Sequence, residues 1–93
     1  MAQASARHIL VETDAECAKL KLDIEGGLDF AAAAKANSKC PSGAEGGALG
    51  TFSPGQMVSE FDEVVFSAPL NTVQGPVETQ FGFHLIEVTS RED

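Results

Sequence analysis

Four side chains in this sequence have the chemistry to hold or move a proton near neutral pH: His8, His84, Cys17 and Cys40. The two histidines stand near opposite ends of the chain, each inside a run that alternates as a strand does. In "RHILVE" (7–12), His8, Leu10 and Glu12 share one face, and Ile9 and Val11 the other. In "FHLIEVT" (83–89), His84 shares a face with Ile86 and Val88. If these strands pair, the imidazoles come within reach of each other across the ladder. Two unrelated strand histidines, buried and satisfied, are the alternative. Cys40 reads either as a small buried hydrophobe or as an activated thiolate, which needs a cation or a helix N-terminus beside it. Pro41-Ser42 offers a one-turn helix start. A zinc site from Cys40, His8 and His84 lacks any CxxC or HxxxH spacing, so neither a metal nor another cofactor is expected.

Cys40 lies in "SKCPSGAEGGALGTFSPGQM" (38–57), which holds five of the nine glycines. It is not a phosphate cradle, because no G-K-[ST] follows and no GxGxxG opens a helix after a strand. The glycines suit a tight connection with positive φ at several positions. Met57 and Phe61 are four apart, hence on one helical face, and belong either to a core stripe or to the lining of a pocket.

These residues need a frame. Thr13 with Glu16 reads as a capping box for a helix from Asp14 to Glu25, with Cys17, Leu20 and Ile24 at helical spacing. Gly26-Gly27 ends it. Asp29 caps a second helix, Phe30 to Asn37, rich in alanine. "ALGTF" (48–52) is a short strand and "SPGQ" (53–56) a turn. Ser59 with Asp62 marks a third helix start. Its stripe is Phe61, Val64, Val65 and Ala68, and Pro69 stops it. "PVETQ" (76–80) and the run at 83–89 form a hairpin with a tight turn near Phe81-Gly82. The order β-α-α-β-α-β-β predicts an α+β domain with an antiparallel sheet.

With 93 residues, one domain with one core is expected. Six phenylalanines carry all the aromatic packing, since Trp and Tyr are absent. A net charge of −8 argues against nucleic acid and against anionic membranes. It admits basic or neutral peptides as partners. No stretch approaches the ~20 apolar residues of a membrane span, and no secretory pattern opens the sequence. Two cysteines do not make a disulfide framework. The cytoplasm is the expected location and a monomer the expected state.

Taken together, "HILV" (8–11), "DFAAAAKANS" (29–38), "CPSGAEGGALGTFSPGQMVSEFDEVVF" (40–66) and "GPVETQFGFHLIEV" (75–88) resemble the parvulin-type peptidyl-prolyl cis/trans isomerases of the small single-domain kind. The resemblance implies a four-stranded antiparallel sheet surrounded by four helices, in the order β-α-α-α-β-α-β-β. It implies that His8 and His84 are the family's paired histidines and that Cys40 falls on its Cys/Asp position. It places Leu49, Met57 and Phe61 where the substrate proline is held. Thr79, Gln80 and Phe81 fall on the loop beside the histidines, with Thr79 bonded to one of them. The expected activity is rotation about X–Pro bonds in peptides and unfolded protein segments, without covalent chemistry. A proline-peptide binding module or a holdase chaperone would use the same groove; a Cys-His hydrolase or redox enzyme is the remaining alternative.

The sequence departs from the family's pattern in places. Ala48 replaces the acid of G-G-D-L-G, and Phe83 stands where Tyr is common. Glu12 follows HILV where many members carry Lys, and "ETDAE" (12–16) replaces the basic loop of phosphate-directed members. Acids there repel a dianionic phosphate, so the expected specificity is not phospho-directed and tolerates Lys, Arg or apolar residues before proline.

Overall fold

The structure, a computed structural model, describes residues 3–92. In chain order they form β1 (Gln3–Val11), α1 (Asp14–Glu25), α2 (Phe30–Asn37), a 3-10 turn (Pro41–Glu45), β2 (Ala48–Phe52), α3 (Ser59–Val65), β3 (Val73–Thr79) and β4 (Gly82–Glu92). The strands make one antiparallel sheet in the order β2-β1-β4-β3. The first and last long strands are therefore the two central ones, as a meeting of the two histidines requires.

Strand alternation divides the core in two. Ile9, Val11 and Leu85 face one way and meet Cys17 and Leu20 of α1 and Phe30, Ala33 and Ala34 of α2. Ala4, Ala6, Ile86 and Val88 face the other way and meet Phe52 and, from α3, Phe61 and Val65. Burying both faces is what lets a chain this short supply a core. His8 and His84 are 5% exposed each and lie on the α3 face.

The helix starts follow capping chemistry in two of three cases. Thr13 accepts from the Glu16 N–H at 3.2 Å and Asp29 from the Ala32 N–H at 3.0 Å. The third differs from expectation. Val58, not Ser59, is the N-cap of α3, without a side-chain bond, and the Ser59 hydroxyl turns to Glu60 instead. The fourth expected helix is only the five-residue 3-10 turn. β2 matches its sequence span, and the other three strands are longer than theirs. β3 begins at Val73 because Gly75-Pro76 sits in an edge strand at a register shift, where a missing N–H is tolerated. Gln80 lies in the hairpin turn, not the strand.

Candidate active site

The segment between α2 and β2 runs along the edge of β1 just beyond the reach of β2. The Leu10 N–H donates to Ser38 Oγ (3.1 Å), the Lys39 N–H to the Leu10 carbonyl (2.7 Å) and the His8 N–H to the Gly47 carbonyl (3.0 Å). Two glycines make this possible. Gly46 ends the 3-10 turn at φ 74°, the left-handed cap position. Gly47 has φ 86°, and a Cβ there would lie 2.3 Å from the His8 carbonyl oxygen. The glycine cluster thus brings Cys40 and Ser42 against His8.

On β1 and β4, His8 lies opposite Ile86 and His84 opposite Leu10, so the histidines are diagonal neighbours on one face. Their Nδ1 atoms are 3.0 Å apart and the rings nearly parallel, at 18°. His84 Nε2 meets Thr79 Oγ1 at 2.8 Å, and the same oxygen accepts the Phe81 N–H at 3.1 Å. His8 Nε2 meets Ser42 Oγ at 3.1 Å, and Ser42 Oγ lies 3.3 Å from Cys40 Sγ. The Phe61 ring stands edge-on to both imidazoles, with centroids 5.6 and 6.0 Å away. Burial, and secondarily the neighbouring His84, lowers the His8 pKa to about 4; burial lowers that of His84 too. Both imidazoles are neutral at pH 7.

In front of the histidines opens a cavity of about 390 Å³, within the range of small-ligand sites. Its floor is His8, His84 and Leu10; Leu49, Met57, Val58 and Phe61 form one wall; Lys39, Cys40 and Pro41 form the other; Phe81, 63% exposed, stands at the rim. Met57 reaches it from the loop before α3, not from the helix itself. Phe61 serves core and cavity together. Such walls accept an apolar ring and offer polar contacts on one side only.

Of the residues singled out in the sequence, His8, Cys40, Leu49, Met57, Phe61, Phe81 and His84 line this cavity, and Thr79 stands behind His84. Gln80 does not line it. As an exposed turn residue it borders a separate depression with Val58, Ser59 and Glu60. Leu10, Lys39, Pro41 and Val58 also line the cavity without being singled out in the sequence, and Ser42 joins the site through its contacts with His8 and Cys40. Ser42 has no spacing signal, because only the course of the loop along β1 carries it to His8. Lys39 brings a cation to the cavity, and its Nζ is 3.6 Å from a Glu12 carboxylate oxygen, so Glu12 is engaged rather than free.

The arrangement disfavours a Cys-His nucleophile. Among the described residues no hydrogen bond joins either imidazole to Cys40 Sγ directly; Ser42 intervenes. Cys17 is no better candidate. It is packed in the core, and burial with the nearby Asp14 and Glu16 carboxylates raises its thiol to about 11.

The chain matches the model of the PPIC-type PPIase domain over residues 1–92. It is 40% identical over 89 residues to the foldase protein PrsA of a Geobacillus strain, covering 95% of this chain and 32% of that protein. The chain thus spans about a third of the length of the curated relatives it matches first. Among solved structures, PrsA of Bacillus anthracis superposes with a TM-score of 0.95 at 31% identity, covering 99% of this chain and 43% of that one. NmPin, the parvulin of Nitrosopumilus maritimus, superposes with a TM-score of 0.87 at 28% identity, covering 97% of this chain and 98% of that one.

Proposed function

The chain belongs to the PPIC-type peptidyl-prolyl isomerase family, and from that premise we propose that it catalyses cis/trans rotation about X–Pro bonds in peptides and unfolded protein segments, non-covalently and without direction by phosphate. The observation that carries this reading is the apolar cavity closed on one side by Cys40 and on its floor by two neutral histidines.

The barrier to amide rotation is ~18–20 kcal/mol. An acceleration of about 10⁴ requires only about 5–6 kcal/mol, within reach of binding the twisted amide more tightly than the planar one. Leu49, Met57, Phe61 and Phe81 seat the pyrrolidine ring and hold one side of the rotating bond. Removal from water favours the twisted form, which is less charge-separated than the planar amide. Cys40 and the backbone beside it supply the polar neighbour for the turning amide. His8, His84 and Thr79 hold the floor and, through Ser42, the Cys40 side chain. A protease-coupled assay on an Ala-Leu-Pro-Phe peptide tests the reading: turnover supports it, and saturable binding without turnover favours the holdase alternative.

The segment Glu12–Glu16 carries three carboxylates, one of them paired with Lys39, which supports discrimination against a dianionic phosphate before proline. The engagement of Glu12 by Lys39 weakens the expected preference for Lys or Arg at that position, so apolar residues are the proposed optimum. We also propose that the chain acts as a monomer, in the cytoplasm, away from membranes and nucleic acid. Sedimentation and cell fractionation test those parts separately.

A further inference from the structure

Ser59 with Asp62 reads as a helix start in the sequence, yet neither side chain caps α3. Val58 is the N-cap without a side-chain bond, and Ser59 Oγ meets Glu60. Asp62 instead reaches back seven residues, where its Oδ2 accepts the Gly55 N–H at 2.8 Å. We propose that Asp62 is a positioning residue for the proline seat. It holds the loop that carries Met57 in place against the helix that carries Phe61, and so sets how tightly the pyrrolidine ring is gripped.

The geometry is a clamp on residues 55–58. The main chain of Asp62 is locked into α3, its N–H donating to the Val58 carbonyl at 2.9 Å and its carbonyl accepting the Phe66 N–H at 3.0 Å. Its side chain takes the other end of the segment, at Gly55. One residue thus ties the segment at its start by side chain and at its end by main chain. Met57 lies between the two ties, and Met57, Val58 and Phe61 all line the cavity.

The tie matters because the turn before Met57 does not fix itself. Its ends close on each other: the Gln56 N–H donates to the Ser53 carbonyl at 3.3 Å, and Gln56 Oε1 accepts the Ser53 N–H at 2.6 Å. Pro54 and Gly55 are the central residues, with Gly55 at φ 89°, as in a type II turn. The peptide between them has no partner inside the turn. Flipping it converts type II to type I, and glycine permits both. A Cβ on Gly55 would meet nothing within 4 Å, so packing there does not hold the peptide. The Asp62 carboxylate does.

That carboxylate serves fold stability poorly. Its second oxygen, Oδ1, is buried and has no hydrogen-bond partner among the described residues. A buried acceptor left without a donor lowers stability. A near-isosteric apolar side chain removes it, and the Gly55 N–H, on an exposed residue, then turns to water. Positioning and stability therefore separate at Asp62. The role deepens the isomerase reading, on which only its effect on KM rests; the tie itself stands on geometry.

Asp62→Asn and Asp62→Leu are the paired test. Both remove a charge from the first turn of α3, but only asparagine keeps an acceptor for the Gly55 N–H. In a protease-coupled assay on an Ala-Leu-Pro-Phe peptide, Asp62→Leu is expected to raise KM about three- to tenfold with kcat unchanged. That is the pattern of a lost contact that holds ground state and transition state alike. Asp62→Asn is expected to keep the parent's KM. In carbon-13 NMR of the methionine methyls, the Met57 signal is expected to shift or broaden in Asp62→Leu and to return in Asp62→Asn. The urea midpoint of Asp62→Leu is expected to equal or exceed that of Asp62→Asn. Equal KM values and equal Met57 signals in the two variants would overturn the proposal. So would a midpoint lower for Asp62→Leu than for Asp62→Asn, which would make the residue a structural one. The expected Met57 changes in a chain with no isomerase activity would support the tie and overturn the isomerase reading instead.

Discussion

His8 and His84 are buried without charge, and the consequence is a dependence of stability on pH. The His8 pKa falls from 6.5 to about 4 on folding. Between those values the unfolded chain binds a proton that the folded chain refuses, so folding stability decreases as pH falls. The stability is fully present above about pH 6.5, drops by about 1.4 kcal/mol per pH unit below it, and levels off near pH 4, a total of about 3 kcal/mol. Urea unfolding at pH 7.5, 6 and 5 is expected to show midpoints falling in that order; a flat profile would mean the imidazoles are not buried neutral. Most of the site's residues are legible in the sequence because they sit in strands or follow family spacing: alternation alone puts His8 and His84 on faces that can meet. Ser42 and Lys39 are not legible, since their contacts depend on where an irregular loop lies. Gln80 does not line the cavity because it sits exposed in the β3–β4 turn, where it borders a separate depression.

At the scale of elements, the site depends on the loop that flanks β1 and on the end of α3. Gly47→Ala adds a Cβ that meets the His8 carbonyl at 2.3 Å, whereas at Gly50, also at positive φ, a Cβ meets nothing within 4 Å. Both substitutions incur left-handed strain of about 1–2 kcal/mol. Gly47→Ala is expected to lose about 3 kcal/mol or more in denaturant unfolding, with the gap between the two measuring the clash; equal losses would contradict the close approach of loop to strand. Arg91 Nη1 donates to the Val65 and Ala68 carbonyls at 2.9 and 2.7 Å, closing the C-terminal end of α3. Arg91→Ala is expected to cost about 1–3 kcal/mol and to raise KM, because Phe61 rides on that helix. An unchanged KM would separate the cap from the groove. Thr13 and Asp29 announce their helices through local chemistry. α3 starts without a side-chain cap, and the 3-10 turn is too short for a periodic signal. β3 hides its first residues because Gly75-Pro76 reads as a break unless the strand is known to lie at an edge.

For the whole molecule, charge and topology act together. The sheet places the chain's two ends side by side as its central strands, which is what brings residues 76 positions apart into hydrogen-bond contact. The net charge of −8 and the carboxylates of 12–16 predict a specificity order. With X-Pro peptides, kcat/KM is expected to be about tenfold lower for phosphoserine than for leucine at X, and the gap is expected to narrow at high salt. A phosphoserine preference would contradict it. The net charge is legible in the composition, while the pairing of Lys39 with Glu12 is not. The proposed activity depends on this cavity turning an X–Pro bond without covalent chemistry. The decisive experiment is exchange NMR on an Ala-Leu-Pro-Phe peptide, with catalytic amounts of the parent chain and of Cys40→Asp. Cis–trans exchange cross-peaks are expected with both proteins, the introduced carboxylate accepting from Ser42 as the Cys40 sulfur does. Exchange with the parent but none with a folded Cys40→Asp would contradict this and point to the thiol as a nucleophile.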